Sequence, residues 1–199
     1  MIQRNAKNDK DGGAFEMEDG LVRINSYHCH RFDPTAAAPE DLCIEDIAHA
    51  LSLLCRANGH LRLFYSVAQH CLSCQREAAA RGWSARMQLL CLLHDASEAY
   101  IGDLTRPLKR HLPAFAAIEA RLQGQIYAAL DVPPPTPEEA RQVAEVDDAM
   151  LYWEFQLLHP AGIDCRRLEL RGPFCPQELP HEQVEHAYLA AFAALKGAV

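Results

Sequence analysis

The chain lacks any uninterrupted apolar stretch approaching the ~18 residues that a membrane span requires, and its first residues lack the basic-then-apolar order of a secretory leader. Both absences predict a soluble, cytoplasmic protein with no membrane partner. It also lacks a basic excess: 19 Lys and Arg stand against 27 Asp and Glu, for a formal net charge of -8. A surface that coats DNA or RNA carries a basic patch, so nucleic acid is an unfavourable partner class, although local basic residues can still grip a small anion. A second CxxC is missing. Cys71 and Cys74 form a lone pair on a helix with no βαβ context, which disfavours a zinc ribbon or a thioredoxin-type redox pair and leaves packing as the reading. The eight cysteines are scattered, several among apolar helical neighbours, as buried free thiols are in a reducing compartment. In YHCH at 27–30, two histidines share one side of an extended segment, and nothing adjacent completes a metal site.

What is present suits one domain. A length of 199 residues can bury a core without disulfides. Residues 1–20 are polar and glycine-bearing and read as a flexible tail, leaving 21–199 as the domain. LVRINSYHCHRFDP predicts a short extended segment or hairpin, the single β element expected. From residue 41 the apolar spacing is helical. Ile44, Ile47, Ala48, Leu51, Leu54 and Cys55 form one face of a helix stopping at Asn58-Gly59. Ser66 and Gln69 have capping-box spacing for a second helix running to about Arg81. A third runs from near Ser84 to near Gly102. Pro113 opens a fourth, with Phe115, Ile118, Leu122 and Ile126 facing inward. Thr136, Pro137 and Glu139 open a fifth, with Val143, Val146, Met150, Trp153 and Leu157 inward, and a last helix spans about 181–196. The expected fold is all-α: about six packed helices with a short irregular or β-hairpin N-terminal extension.

Within the third helix, His94 and Asp95 follow Leu89, Leu90, Leu92 and Leu93. Two strongly solvated side chains are costly in such surroundings unless something binds them. Other helices offer companions. His70 on the second helix should point inward, and Asp147 lies in the buried face of the fifth helix, four residues after Val143 and three before Met150. Asp148 is turned about 100° away and is the weaker candidate. Two imidazoles and two carboxylates suit one divalent transition ion such as Zn, Mn, Co, Ni or Fe(II), with coordination positions left for water and substrate. A lone helical histidine, such as His49, His60 or His111, is by contrast ordinarily a hydrogen-bonded packing residue.

The order His70, His94-Asp95, Asp147 resembles the signature of the HD-domain phosphohydrolase superfamily, all-α metalloenzymes that mostly cleave phosphate esters of nucleotides. HDASEAYIGDLTRPLK, from His94 to Lys109, is similar to the HDxSE…GD…PxK run of the HD-domain 5'-deoxynucleotidases and of related bacterial and phage enzymes that hydrolyse deoxynucleoside triphosphates. IEDIAHALS and FYSVAQH resemble the N-terminal half of the same group, so the likeness covers roughly residues 22–158. It implies a single HD-type bundle around one metal, acting on a small (deoxy)nucleotide.

Glu98 lies four residues after His94 and three after Asp95, hence on the same helix face, one turn on. It is a candidate to orient or deprotonate the water, a role the resemblance also implies; the alternative is a solvated glutamate near a helix end. Asp103 can cap the next turn, reach the site, or do both; the resemblance places the matching aspartate in the catalytic pocket, as a group to protonate the leaving sugar oxygen. The arginine matching Arg56 contacts substrate in the family. Arg106 and Lys109 are either further phosphate grips or a solvated basic surface. The sequence departs from the resemblance after Arg56, where Ala57 and Asn58 stand in place of an aromatic side chain that would stack on sugar or base. The rival readings are a non-catalytic nucleotide- or alarmone-binding module with a structural metal, and a guanosine-tetraphosphate hydrolase or cyclic-nucleotide phosphodiesterase. Alanine-rich faces on the fourth and last helices allow a homo-oligomer.

Overall fold

Local side-chain chemistry starts the two helices that matter most. Ser66 Oγ accepts the Gln69 N–H while Gln69 Oε1 accepts the Ser66 N–H, both at 3.2 Å. The same reciprocal box joins Thr136 and Glu139, with Pro137 at the first helical position, where its missing N–H has no cost.

The computed structural model describes residues 23–28 and 30–199; the expected tail over 1–20 lies outside the described residues. The strands β1 (Ile24–Asn25) and β2 (Arg31–Phe32) pair antiparallel, Ile24 opposite Phe32. The helices are α1 (Ile44–Leu53), α2 (Val67–Ala80), α3 (Ala85–Leu93), α4 (Glu98–Ile101), α5 (Arg106–Lys109), α6 (Pro113–Ala129), α7 (Pro137–Leu158) and α8 (His181–Lys196). Among the described residues the fold is therefore an all-α bundle of six longer helices and two single turns, with a short N-terminal hairpin. No helix there is long and apolar enough to cross a membrane.

The core lies where α2 meets α3 and α1 meets α8, around Ile47, Leu51, Val67, Leu90, Leu93 and Tyr188, none more than 1% exposed. Burying Tyr188 is tolerable because its hydroxyl donates to the Leu92 carbonyl at 2.9 Å.

Three expectations are corrected. The first helix ends at Leu53; Arg56–Gly59 is a separate tight turn in which Ala57 and Asn58 take φ of 53° and 50°. The chain reverses here because Arg56 N–H donates to the Tyr65 carbonyl and Cys55 pairs with Ser66. The third helix does not run through to Gly102. It stops at Leu93, and residues 94–97 close with tighter i→i−3 bonds (Ala96 to Leu93, Glu98 to Asp95) before α4 begins. Leu157 is 44% exposed, since the inward face of α7 passes through Met150, Glu154 and Leu158.

Candidate metal centre

Three elements converge on one point. His70 comes from the first turn of α2, His94 and Asp95 from the turn that ends α3, and Asp147 from the middle of α7. His70 Nε2 lies 3.2 Å from His94 Nε2 and 3.1 Å from Asp147 Oδ1. His94 Nε2 lies 3.2 Å from Asp95 Oδ2 and 3.9 Å from Asp147 Oδ1, and His70 Nε2 lies 3.7 Å from Asp95 Oδ2. Donors bound to one ion at 2.0–2.2 Å sit roughly 3–4 Å apart, so the two imidazole nitrogens stand from each other and from each aspartate oxygen at the spacing of a shared cation's ligands.

Hydrogen-bond logic sharpens the fit. His94 Nδ1 is 2.8 Å from the Cys91 carbonyl, which can only accept, so Nδ1 carries a proton. His70 Nδ1 is 2.7 Å from Glu154 Oε1, a carboxylate that likewise takes its proton. Each Nε2 then faces the other and an aspartate oxygen, positions that a proton or a metal cation has to fill. Burial would push the His94 imidazole down, but Asp95 and a hydrogen bond with Asp147 hold it well above its ordinary value. At His70, burial and Arg56 push down, and Cys74, Glu154 and Asp147 outweigh them. Asp147 shows the converse: burial acts to raise it, yet the two imidazoles hold it well below the usual carboxylate range. The cluster demands positive charge. Metal-capable donor groups are also formed by His70, Cys74 and His94, and by Cys71, His94 and Asp95. Cys74 Sγ lies 3.6 Å from His70 Nε2, so the lone CxxC forms part of the wall of this site in addition to its packing role.

Glu154 was not among the residues singled out from sequence. It is 1% exposed, and its second oxygen accepts from Arg56 Nε at 2.9 Å. A position seven residues beyond Asp147, hence two turns on along the same face, is the signal that could have marked it. Arg56 is 8% exposed and also reaches toward Asp147 Oδ1 (3.6 Å) and Asp95 Oδ2 (3.7 Å). It is a buried counter-charge for the acids as well as a lining residue of the cleft beyond them.

That cleft, of about 410 Å³, is lined by Arg56, Asp95, Glu98, Asp103, Arg106, Lys109 and Asp147, with Leu151 and Phe155. Its size suits a small organic ligand. Glu98 is 3% exposed; one oxygen accepts from Lys109 Nζ at 3.1 Å, and the other is buried without a partner among the described residues. Burial, then the charges of Asp95 and Asp103, push its carboxyl up to about 8 against the pull of Lys109 and Arg56. Asp103 Oδ2 accepts the Ala57 N–H at 3.1 Å, so it braces the strained turn instead of capping α5. Arg106 donates to Asp147 Oδ2 at 2.5 Å and also to Asp148; Lys109 reaches Glu119 at 2.6 Å. Neither cation is simply solvated surface. Asp148, half-exposed, has Arg106 as its partner and stands apart from the histidines.

A separate cavity of about 360 Å³ lies between α2, α8 and the 170–179 loop, away from His70. No known family model matches the chain. It is 40% identical over 95 residues to the uncharacterized protein YfdR of Escherichia coli, a match covering 48% of this chain and 51% of that protein. It is 34% identical over 124 residues to an uncharacterized protein of Rhodobacter capsulatus, covering 59% and 61%. The chain thus aligns with about half to three-fifths of the length of these relatives.

Proposed function

We propose that the chain is a metal-dependent phosphohydrolase of the HD-domain kind that cleaves a phosphate ester of a small (deoxy)nucleotide, as a 5'-deoxynucleotidase or a deoxynucleoside triphosphohydrolase. The observation that carries this reading is the pair of facing imidazole Nε2 atoms, 3.2 Å apart, at the end of a cleft lined by both carboxylates and cations. His70, His94, Asp95 and Asp147 are the residues that would hold one divalent transition ion. When bound, such an ion supplies Lewis acidity, activating water and offsetting phosphate charge.

The chain's own groups supply the rest. Glu154 and the Cys91 carbonyl hold the two imidazoles in the tautomers that present Nε2. Glu98, whose carboxyl is pushed up to about 8 in the metal-free protein by burial and its acidic neighbours, stands beside the cleft as the group to exchange a proton with the attacking water or the leaving sugar oxygen. Asp103 fixes the Arg56–Gly59 turn through the Ala57 N–H and so shapes the opposite wall. Arg106, at the exposed rim, and Lys109, deeper in, are the cations a phosphate would meet. Phe155 and Leu151 offer an apolar surface for the sugar or base.

Metal-stripped protein resupplied with Mn, Co or Zn should release nucleoside from a deoxynucleotide panel. Phosphate as the co-product identifies a nucleotidase, and triphosphate identifies a triphosphohydrolase. Correctly folded protein that binds metal but turns over no nucleotide would overturn the proposal. One observation favours a second reading, a nucleotide- or alarmone-binding module with a structural metal: Arg106 and Lys109 are already tied to carboxylates. Glu98→Gln separates the two, because it leaves nucleotide binding intact in either case, and only an enzyme has a turnover for it to lower.

A further inference from the structure

Outside that cleft, the hairpin and the start of α1 bring together three donors of different chemistry. His28 follows β1, while Cys43 and Asp46 sit one turn apart where α1 begins. Their ligand atoms all lie within 4.8 Å of one another. The folded chain supplies partners for a YHCH histidine that the linear sequence did not.

Asp46 is the unusual member. Its carboxylate is 1% exposed, and its one ion-pair partner among the described residues is His28. Oδ1 accepts the His28 backbone N–H and lies 2.8 Å from His28 Nδ1. Oδ2 is buried and, among the described residues, makes no hydrogen bond of good geometry, with only the Ser26 hydroxyl and the Cys43 thiol beside the carboxylate as further donors. Burying a carboxylate oxygen without a donor is costly, and a cation is the direct way to offset that cost.

We propose that His28, Cys43 and Asp46 form a second site for a divalent transition metal of the Zn or Co type, which clips the N-terminal hairpin onto α1. One nitrogen, one sulfur and one oxygen are a borderline-soft donor set. The donors of a tetrahedral ion with bonds of 2.0–2.3 Å stand roughly 3.3–3.8 Å apart; here His28 Nδ1 and Asp46 Oδ1 stand 2.8 Å apart, all three ligand atoms lie within 4.8 Å of one another, and the His28 ring is half-exposed. Water completes the coordination from the exposed side. On binding, the Cys43 thiol loses its proton to solvent, and the His28 ring carries its remaining proton on the nitrogen that faces away from the ion.

The test is a Co(II) titration of the chelator-stripped full chain, read by equivalents bound and by the near-ultraviolet thiolate-to-cobalt absorption. Cys43→Ser should bind one equivalent fewer than the parent and lose the part of that absorption due to Cys43. His28→Ala, at a half-exposed position, should also lose one equivalent and reads the same site if Cys43→Ser fails to fold. In His94→Ala, where the cluster between α2, α3 and α7 is broken, the Cys43-dependent absorption should persist, so failure of one site is distinguishable from failure of the other. Unchanged stoichiometry and spectrum in His28→Ala and in folded Cys43→Ser would overturn the proposal.

Discussion

Glu154 Oε1 accepts from His70 Nδ1 at 2.7 Å, with both side chains essentially sealed from solvent. The bond sets which nitrogen of His70 faces Asp147 and His94. It also leaves the other Glu154 oxygen for Arg56, so one carboxylate orients a metal-ligand candidate and neutralises the buried cation beside it. Glu154→Gln should therefore weaken metal affinity roughly 10–100-fold, measured by competition with a chromophoric chelator. Glu154→Ala strands a buried Arg56 and should cost about 3 kcal/mol of stability in thermal unfolding.

The two adjacent aspartates of α7 should behave oppositely. Asp147→Asn removes an oxygen 3.1 Å from His70 Nε2 and should reduce bound metal sharply, as should His94→Ala and Asp95→Ala. Asp148→Asn loses only a half-exposed pair with Arg106 and should retain metal, with stability changed by about 1 kcal/mol or less. Metal analysis of the purified variants decides this; loss of metal in Asp148→Asn would sink the assignment.

Glu98 makes a pH prediction for the metal-free protein. Its folded value of about 8 lies above the ordinary glutamate value of 4.5. The stability tied to its buried, protonated form is fully present below the ordinary value and is lost as pH rises through 8. The melting temperature should fall from pH 5 to pH 8.5, and Glu98→Gln should flatten that fall. Under the proposed function, the same substitution keeps bound metal and lowers turnover by about 10²–10⁴.

Ala57 has φ 53° and ψ 36°, a left-handed conformation in which its Cβ is strained. Ala57→Gly should stabilise the protein, by up to about 1 kcal/mol in denaturant unfolding, because the relieved strain outweighs the added freedom of the unfolded chain. Ala57→Val should destabilise it, since a β-branched residue tolerates this region poorly.

Most helix boundaries were legible because their causes are local. The Ser66–Gln69 and Thr136–Glu139 boxes act within three residues, and Gly82, at φ 75°, stands just past the end of α2 as a stop should. The break after Leu93 escaped a periodicity argument. Apolar spacing continues across residues 94–97 while the hydrogen bonds tighten, so the pattern of side chains did not report the change in backbone.

The sequence by itself determined the all-α class, the capped starts of α2 and α7, and the inward placement of His70 and Asp147, since helical phase follows from spacing alone. Only tertiary structure decided what those residues meet. The bonds from Glu154 to His70 and to Arg56 span 84 and 98 residues, and Asp46 finds His28 across 18. Such pairings depend on how whole helices and the hairpin pack, a relation that the repeat of a single helix does not carry.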